Sequence, residues 1–213
     1  MRYLTSTFLR RLIAVVLCSA IAACASGPGP QQRDVRSDSG NSEAVEIPQA
    51  IASDYANAQT LLSVEDYAGA VQILEPLAQS APEYPAIATT LAIAWRQMER
   101  SDDALAMLQS TLAVHDGYAP GWNEVGILHR EAGRFADAEA AYLKAVTVNP
   151  DYALAHFNLG ILLDLYLAQH SRALEHYERY QALVPDEDKQ VKRWIADISR
   201  RIERTARAAS VSQ

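Results

Sequence analysis

Residues 119–152, APGWNEVGILHREAGRFADAEAAYLKAVTVNPDY, constrain the fold more than any other stretch. They read as two short helices joined by a tight turn. The first carries Trp122, Val125, Ile127 and Leu128 on one side, the spacing of a buried helical stripe. Gly133 closes it by supplying the left-handed backbone that a helix C-terminus favours. The second carries Phe135, Ala138, Tyr142 and Ala145, and Pro150 ends it because proline cannot donate to the helical ladder. Gly126, Ala138 and Ala145 are small, so the two helices can approach closely while Trp122 and Tyr142 fill the space left over. One such hairpin cannot bury its own apolar faces, so copies are required.

The copies recur every 34 residues. One step forward, Gly126 becomes Gly160, Asn123 becomes Phe157 and Val125 becomes Leu159, and ALAHFNLGILL repeats the first helix. Stepping back, Ala138 lands on Ala104 and then Ala70, Phe135 on Ser101 and Tyr67, Tyr142 on Leu108 and Leu74. The frame divides the body into 51–84, 85–118, 119–152 and 153–187. The first copy places Asp54 and Asn57 where Trp122 and Val125 stand in the best one, the polar replacement an end repeat needs because no neighbour covers it. Asp102 and Asp103 suit the opening turn of the second copy's second helix. The fourth copy lacks the turn glycine and is one residue longer, which predicts a longer or distorted loop near Leu167–Ser171. After Pro185, a capping helix is expected over 188–205. Val191, Trp194, Ile195, Ile198 and Ile202 form its apolar stripe. Its other face carries Lys189, Lys192, Arg193, Arg200, Arg201 and Arg204, read as a solvated face or as a contact for anionic lipid or an acidic partner. The tail, 206–213, is expected to fray.

The run of large, large, glycine, large, followed by alanine, aromatic, alanine and proline, resembles the tetratricopeptide repeat. The match is nearly complete in 119–152, good in 153–187 and degenerate in 51–84 and 85–118. The resemblance implies an all-α fold: a right-handed α-solenoid of about four helix-turn-helix repeats plus a C-terminal capping helix. It also implies a concave groove lined by the first helix of each repeat, and a protein partner. Carried over residue by residue, the groove positions are Tyr55 and Gln59, then Thr89, Ile93 and Arg96, then Asn123, Ile127 and Arg130, then Phe157, Ile161 and Asp164. Such a wall suits an amphipathic helix or extended segment with apolar anchors and an acidic rim. Of the Lys and Asn set with which some relatives clamp a partner's C-terminal carboxylate, Asn123 alone is matched. The C-terminal helix or the chain's own N-terminal segment are alternative occupants.

Met1 to Cys24 has the parts of an export signal: Arg2, Arg10 and Arg11, an apolar run from Leu12 to Ala22, and small residues before the cut. The run is too short to cross a bilayer as a helix, which takes roughly 20 residues. Ile21-Ala22-Ala23-Cys24 resembles the bacterial lipobox, which implies a signal peptide over 1–23 and lipid attachment at Cys24. Ala25 after the cysteine implies sorting to the outer membrane. An ordinary secretory signal with an incidental cysteine, or an uncleaved anchor, is the alternative. Residues 24–48 are rich in Gly, Pro, Ser, Asp and Gln and cannot bury enough surface to fold. As a tether they would reach on the order of 25 Å.

No chemistry of a catalytic or metal site is legible. The five histidines include no His-x-x-x-His pair and no cysteine-partnered set; there is no Gly-x-Ser-x-Gly elbow and no phosphate-binding glycine loop. Both cysteines, Cys18 and Cys24, lie in the leader region ahead of the repeats, so the body has no disulfide framework. The formal net charge of −7 argues against nucleic acid, which needs a basic stripe. The expectation is a protein that is not an enzyme and takes no cofactor or metal: a lipid-anchored adaptor holding another cell-envelope protein in its groove. A structural homo-oligomer or an accessory glycan-binding module are the competing readings.

Overall fold

The computed structural model describes residues 48–211. The expected signal peptide, Cys24 and all of the tether except Pro48 lie outside the described residues. Among the described residues nine α-helices follow in order: α1 (Gln49–Ser63), α2 (Tyr67–Ser80), α3 (Pro85–Gln97), α4 (Ser101–Val114), α5 (Ala119–Glu131), α6 (Phe135–Val148), α7 (Ala153–Ile161), α8 (His170–Leu183) and α9 (Lys189–Val211). Among the described residues there is no strand. The hairpins α1/α2, α3/α4, α5/α6 and α7/α8 stack in sequence, with α9 against α8, and the first helices α1, α3, α5 and α7 lie side by side. This is the expected right-handed α-solenoid, and its first helices form one continuous wall.

The turns inside the hairpins share one backbone solution. Glu65, Glu99, Gly133 and Ala168 all have positive φ, at 61, 62, 73 and 52°. In the first three the following N–H reaches back to a carbonyl five residues earlier: Asp66 to Leu61 at 2.9 Å, Arg100 to Trp95 at 2.8 Å and Arg134 to His129 at 2.9 Å. That bond satisfies a carbonyl the helix end would otherwise orphan. Gly133 adopts the conformation freely; a side chain there costs about 1 kcal/mol, which stacking must offset at the other three turns.

The extra residue of the fourth copy is absorbed earlier than the sequence predicts. Leu162–Tyr166 forms a π-helical turn continuing α7, with Leu167 N–H donating to Leu162 O at 3.1 Å. The distortion therefore begins within the helix, and the link at Leu167–Gln169 stays short.

Inside each hairpin the helices meet at paired positions of complementary size. A Cβ added to Gly126 would lie 2.4 Å from Tyr142 Cε1, and one on Gly160 would lie 2.7 Å from Tyr177 Cδ1. The corresponding pairs in the first two hairpins are Ala58 with Leu74 and Ala92 with Leu108, all fully buried. A bigger residue on the second helix goes with a smaller one on the first, which keeps the packed volume near constant.

The last helix continues the wall. Val191 and Ile198 are buried, and Trp194, Ile195 and Ile202 pack on the same cluster. Asp188 caps it, Oδ1 accepting from the N–H of Gln190 at 2.9 Å and of Val191 at 3.1 Å. These bonds, the one from Val191 foremost, hold the Asp188 carboxyl below its ordinary pKa. The sequence reading ends this helix at 205; it runs on to Val211, so 206–211 continue it, as exposed residues where side chains are described.

Candidate functional site

The expected groove residues all fall on the wall of first helices, but the wall consumes several of them. Between α1 and α3, the Tyr55 hydroxyl is 2.8 Å from Thr90 Oγ1. Gln59 is exposed, Ile93 is half-buried, and Thr89 is buried with its hydroxyl unpartnered among the described residues. Between α3 and α5, Arg96 Nε donates to Glu124 Oε1 at 2.5 Å and Nη1 to Glu131 Oε1 at 3.2 Å. Glu124 is only 3% exposed. Burial pushes its carboxyl pKa up, and Arg96 only partly offsets this. Burial likewise opposes the Arg96 charge, but the two glutamates outweigh it and raise the guanidinium above its ordinary pKa. Arg96 is thus a structural cation within the wall and not the free one the sequence implied.

Between α5 and α7, Asn158 Nδ2 donates to Asn123 Oδ1 at 2.9 Å, so the one residue resembling a carboxylate clamp is already engaged. Ile127, Phe157 and Ile161 are half-buried against the C-terminal core. Between α7 and α9, Phe157 stacks on Trp194 with ring centroids 6.1 Å apart. There too Asp164, 6% exposed at its side chain, lies 3.4 Å from Arg201 and 3.2 Å from His170. The C-terminal helix therefore does cover part of the groove: the segment over the fourth repeat, where Phe157 and Asp164 are taken up. Arg130 is half-buried and makes no hydrogen bond or ion pair with a described residue.

At the other end the wall is open. A pocket of about 220 Å³ is lined by Ile51, Tyr55, Gln59, Tyr84, Ile87 and Tyr118, among others. Tyr84, Tyr118 and Tyr152 recur every 34 residues, each immediately before a first helix. Burial, with Tyr55 and Tyr152 nearby, pushes the Tyr118 phenol up to about 12, so Tyr118 presents a neutral hydroxyl on a largely apolar ring. Sequence reasoning passed over Tyr84 and Tyr118, although their shared period was the available signal. A larger cleft of about 650 Å³ opens elsewhere, beside Trp122 and Val125 between α4, α5 and α6, but it is rimmed by His129, Asp137 and Lys144 and lies off the expected groove.

The histidines behave as packing residues. Arg134 Nε donates to His129 Nδ1 at 2.8 Å. The structure joins two that the sequence left apart, His156 Nδ1 and His176 Nδ1, at 3.0 Å, with His156 Nε2 3.0 Å from Pro150 O. When His156 donates from Nε2 to that carbonyl, its Nδ1 is left to accept from His176 Nδ1–H. Burial depresses both pKa values, that of His176 to about 4. Among the described residues no group of three or more His, Cys, Asp and Glu could hold a metal ion.

No curated protein matches the chain. Two family models do: one described as "Tetratricopeptide repeat" over residues 61–123 and one described as "TPR repeat" over 126–163. Among solved structures, PilF of Pseudomonas aeruginosa is 20% identical with a TM-score of 0.64, covering 76% of this chain and 73% of that one. A thermophilic TPR protein of Thermus thermophilus is 18% identical with a TM-score of 0.60, covering 71% and 82%. The first TPR of Spaghetti (RPAP3), bound to the HSP90 peptide SRMEEVD, is 17% identical with a TM-score of 0.52, covering 57% and 97%. At these identities the likeness is one of fold.

Proposed function

We propose, on the premise that the chain carries tetratricopeptide repeats, that it is a non-enzymatic adaptor whose groove holds a segment of another protein. The observation that carries this reading is the tyrosine-rimmed apolar pocket at the open end of the wall. A pocket of that kind, apolar with a few polar tips, accepts one or two side chains of a peptide or amphipathic helix. The peptide-bound structural neighbour supports the same use of the fold. The partner is an envelope protein, in the manner of adaptors for pilus or secretin assembly or for peptidoglycan enzymes. The chain is anchored by lipid on Cys24, in the outer membrane facing the periplasm. The export-type leader and the lipobox-like Ile21–Cys24 support that placement.

Two experiments test it. A photo-crosslinking residue at Gln59, on the groove, should capture a partner that the same residue at Gln109, on the opposite face, does not. Equal capture from both faces, or loss of none of it when Ala56→Trp fills the pocket, would remove the groove from the account. Labelled palmitate should enter the chain and be lost in Cys24→Ser; label retained in that variant excludes this anchor.

A further inference from the structure

The apolar stripe of α9, from Val191 to Ile202, is turned into the C-terminal core. At about 3.6 residues per turn, Lys189, Lys192, Arg193, Arg200, Arg204 and Arg207 fall on the opposite side, and all six are exposed. Between its ends that side otherwise holds Ala196 and Glu203, also exposed. Because α9 is one unbroken helix, the six cations form a straight row about 27 Å long. The carboxylates beside the row lie mostly toward its start. Lys192 pairs with Glu187, and Asp188, held ionised first by the N–H of Val191, also feels Arg193. Asp197 lies 3.4 Å from Arg200 and 3.1 Å from Arg201. Lys189, Arg204 and Arg207 form no ion pair with a described residue. Over residues 198–211 four arginines stand against one carboxylate, Glu203, and of the four Arg201 alone reaches back to the wall, at Asp164. The rest of the body is the reverse, with seven basic and twenty acidic residues over 48–188. Positive charge is thus gathered on the outer face of the last helix, and most strongly toward its end.

We propose that this outer face of α9 is a docking surface for an anionic lipid bilayer, with Arg200, Arg204 and Arg207 set among the headgroup phosphates. The match is one of charge and shape. A bilayer presents a continuous negative plane, and a straight row of long, flexible cations suits such a plane better than it suits one fixed anion. The acidic body is repelled by the same plane, so the field of the whole molecule turns α9 toward it. Ala196 is the one apolar residue within the row, so the contact is electrostatic, without insertion into the hydrocarbon, and salt must weaken it. The hairpins stack in sequence with α9 last, so docking there leaves the pocket beside α1 at the far end of the stack. The docking depends neither on the groove nor on lipid at Cys24.

The probes are vesicles of phosphatidylcholine alone and of an equal mixture with phosphatidylglycerol. The full chain carries Cys18→Ser and Cys24→Ser, so that no lipid on Cys24 contributes, and its leader is common to every sample. Co-sedimentation should show about a hundredfold tighter binding to the anionic vesicles. That preference should vanish as salt rises from about 0.1 M to about 1 M and the screening length shrinks from about 10 Å to about 3 Å. Arg200→Gln, Arg204→Gln and Arg207→Gln together should remove most of it, at about fivefold per cation. Lys189→Gln with Lys192→Gln should remove less, because Glu187 and Asp188 already stand beside that end. A fluorophore on Ala196→Cys should be quenched by a headgroup-linked quencher, and one on Asp54→Cys in α1 should not. Equal binding to the two vesicles, a preference that survives the triple variant, or equal quenching at the two sites overturns the proposal. So does self-association at low salt that the triple variant abolishes while the vesicles go unbound, which assigns the row to the acidic hairpins of a second copy. Urea unfolding of the variants confirms that lost binding is not lost fold.

Discussion

The two halves of the solenoid solve the same packing problem differently. In α1–α4 an alanine on the first helix goes with a leucine on the second; in α5–α8 a glycine goes with a tyrosine. The wall differs as well. Its first half is open and tyrosine-rimmed, whereas its last part is closed by α9 through Phe157–Trp194 and Asp164–Arg201. The difference teaches that the repeat specifies a volume and a spacing, not residue identities. It teaches too that identical registers stay open at one end and are capped at the other.

The strongest way to break this comparison is Gly126→Ala. Its new methyl would stand 2.4 Å from a fully buried ring, and urea unfolding should show a loss of about 3 kcal/mol. Gly126→Ala with Tyr142→Leu recreates the pairing of the second hairpin and should recover most of that loss. No recovery would sink the idea of compensating volumes. Next comes Arg96→Gln, which strands the buried Glu124 and should cost about 2 kcal/mol. Arg201→Gln at the capped end, where the guanidinium is more exposed and His170 remains beside Asp164, should cost about half as much.

Acid should separate the halves further. His156 and His176 have folded pKa values below the ordinary 6.5, so the folded state resists their protonation. Their contribution is complete above pH 6.5 and is lost as pH falls toward about 4. Hydrogen exchange at pH 7 and pH 5 should therefore show protection falling in α7 and α8 before α1–α4, and His176→Gln should flatten that dependence. A smaller effect, a gain of up to about 1 kcal/mol, is expected for Tyr142→Phe, which deletes a buried hydroxyl with no partner among the described residues. Smallest is Glu99→Gly, where removing the side chain from a φ of 62° should gain about 0.5 kcal/mol in thermal unfolding.

Much of this was legible because periodicity is a local property of the chain. The positions Gly126, Ala138, Tyr142 and Ala145, repeated at 34 residues, placed the helices and their buried faces, and the stripe Val191 to Ile202 placed the last helix. The left-handed turns at Glu65, Glu99 and Ala168 were not legible, since no side chain there announces the conformation that stacking imposes. The wall was legible as a set of positions but not as a set of free groups. Arg96 and Asp164 look available in the sequence because their partners, Glu124 and Arg201, lie 28 and 37 residues further on.

The sequence by itself determined the repeat length, the helical order and which faces are apolar, because those follow from spacing within a turn or two of chain. Only the tertiary structure decided which wall residues pair with one another and which stay open. It also decided where the extra residue of the fourth hairpin is absorbed. Those outcomes depend on which side chains of neighbouring repeats come within about 3 to 4 Å, the reach of a hydrogen bond or ion pair. That is set by the stacking of whole hairpins and not by any single one.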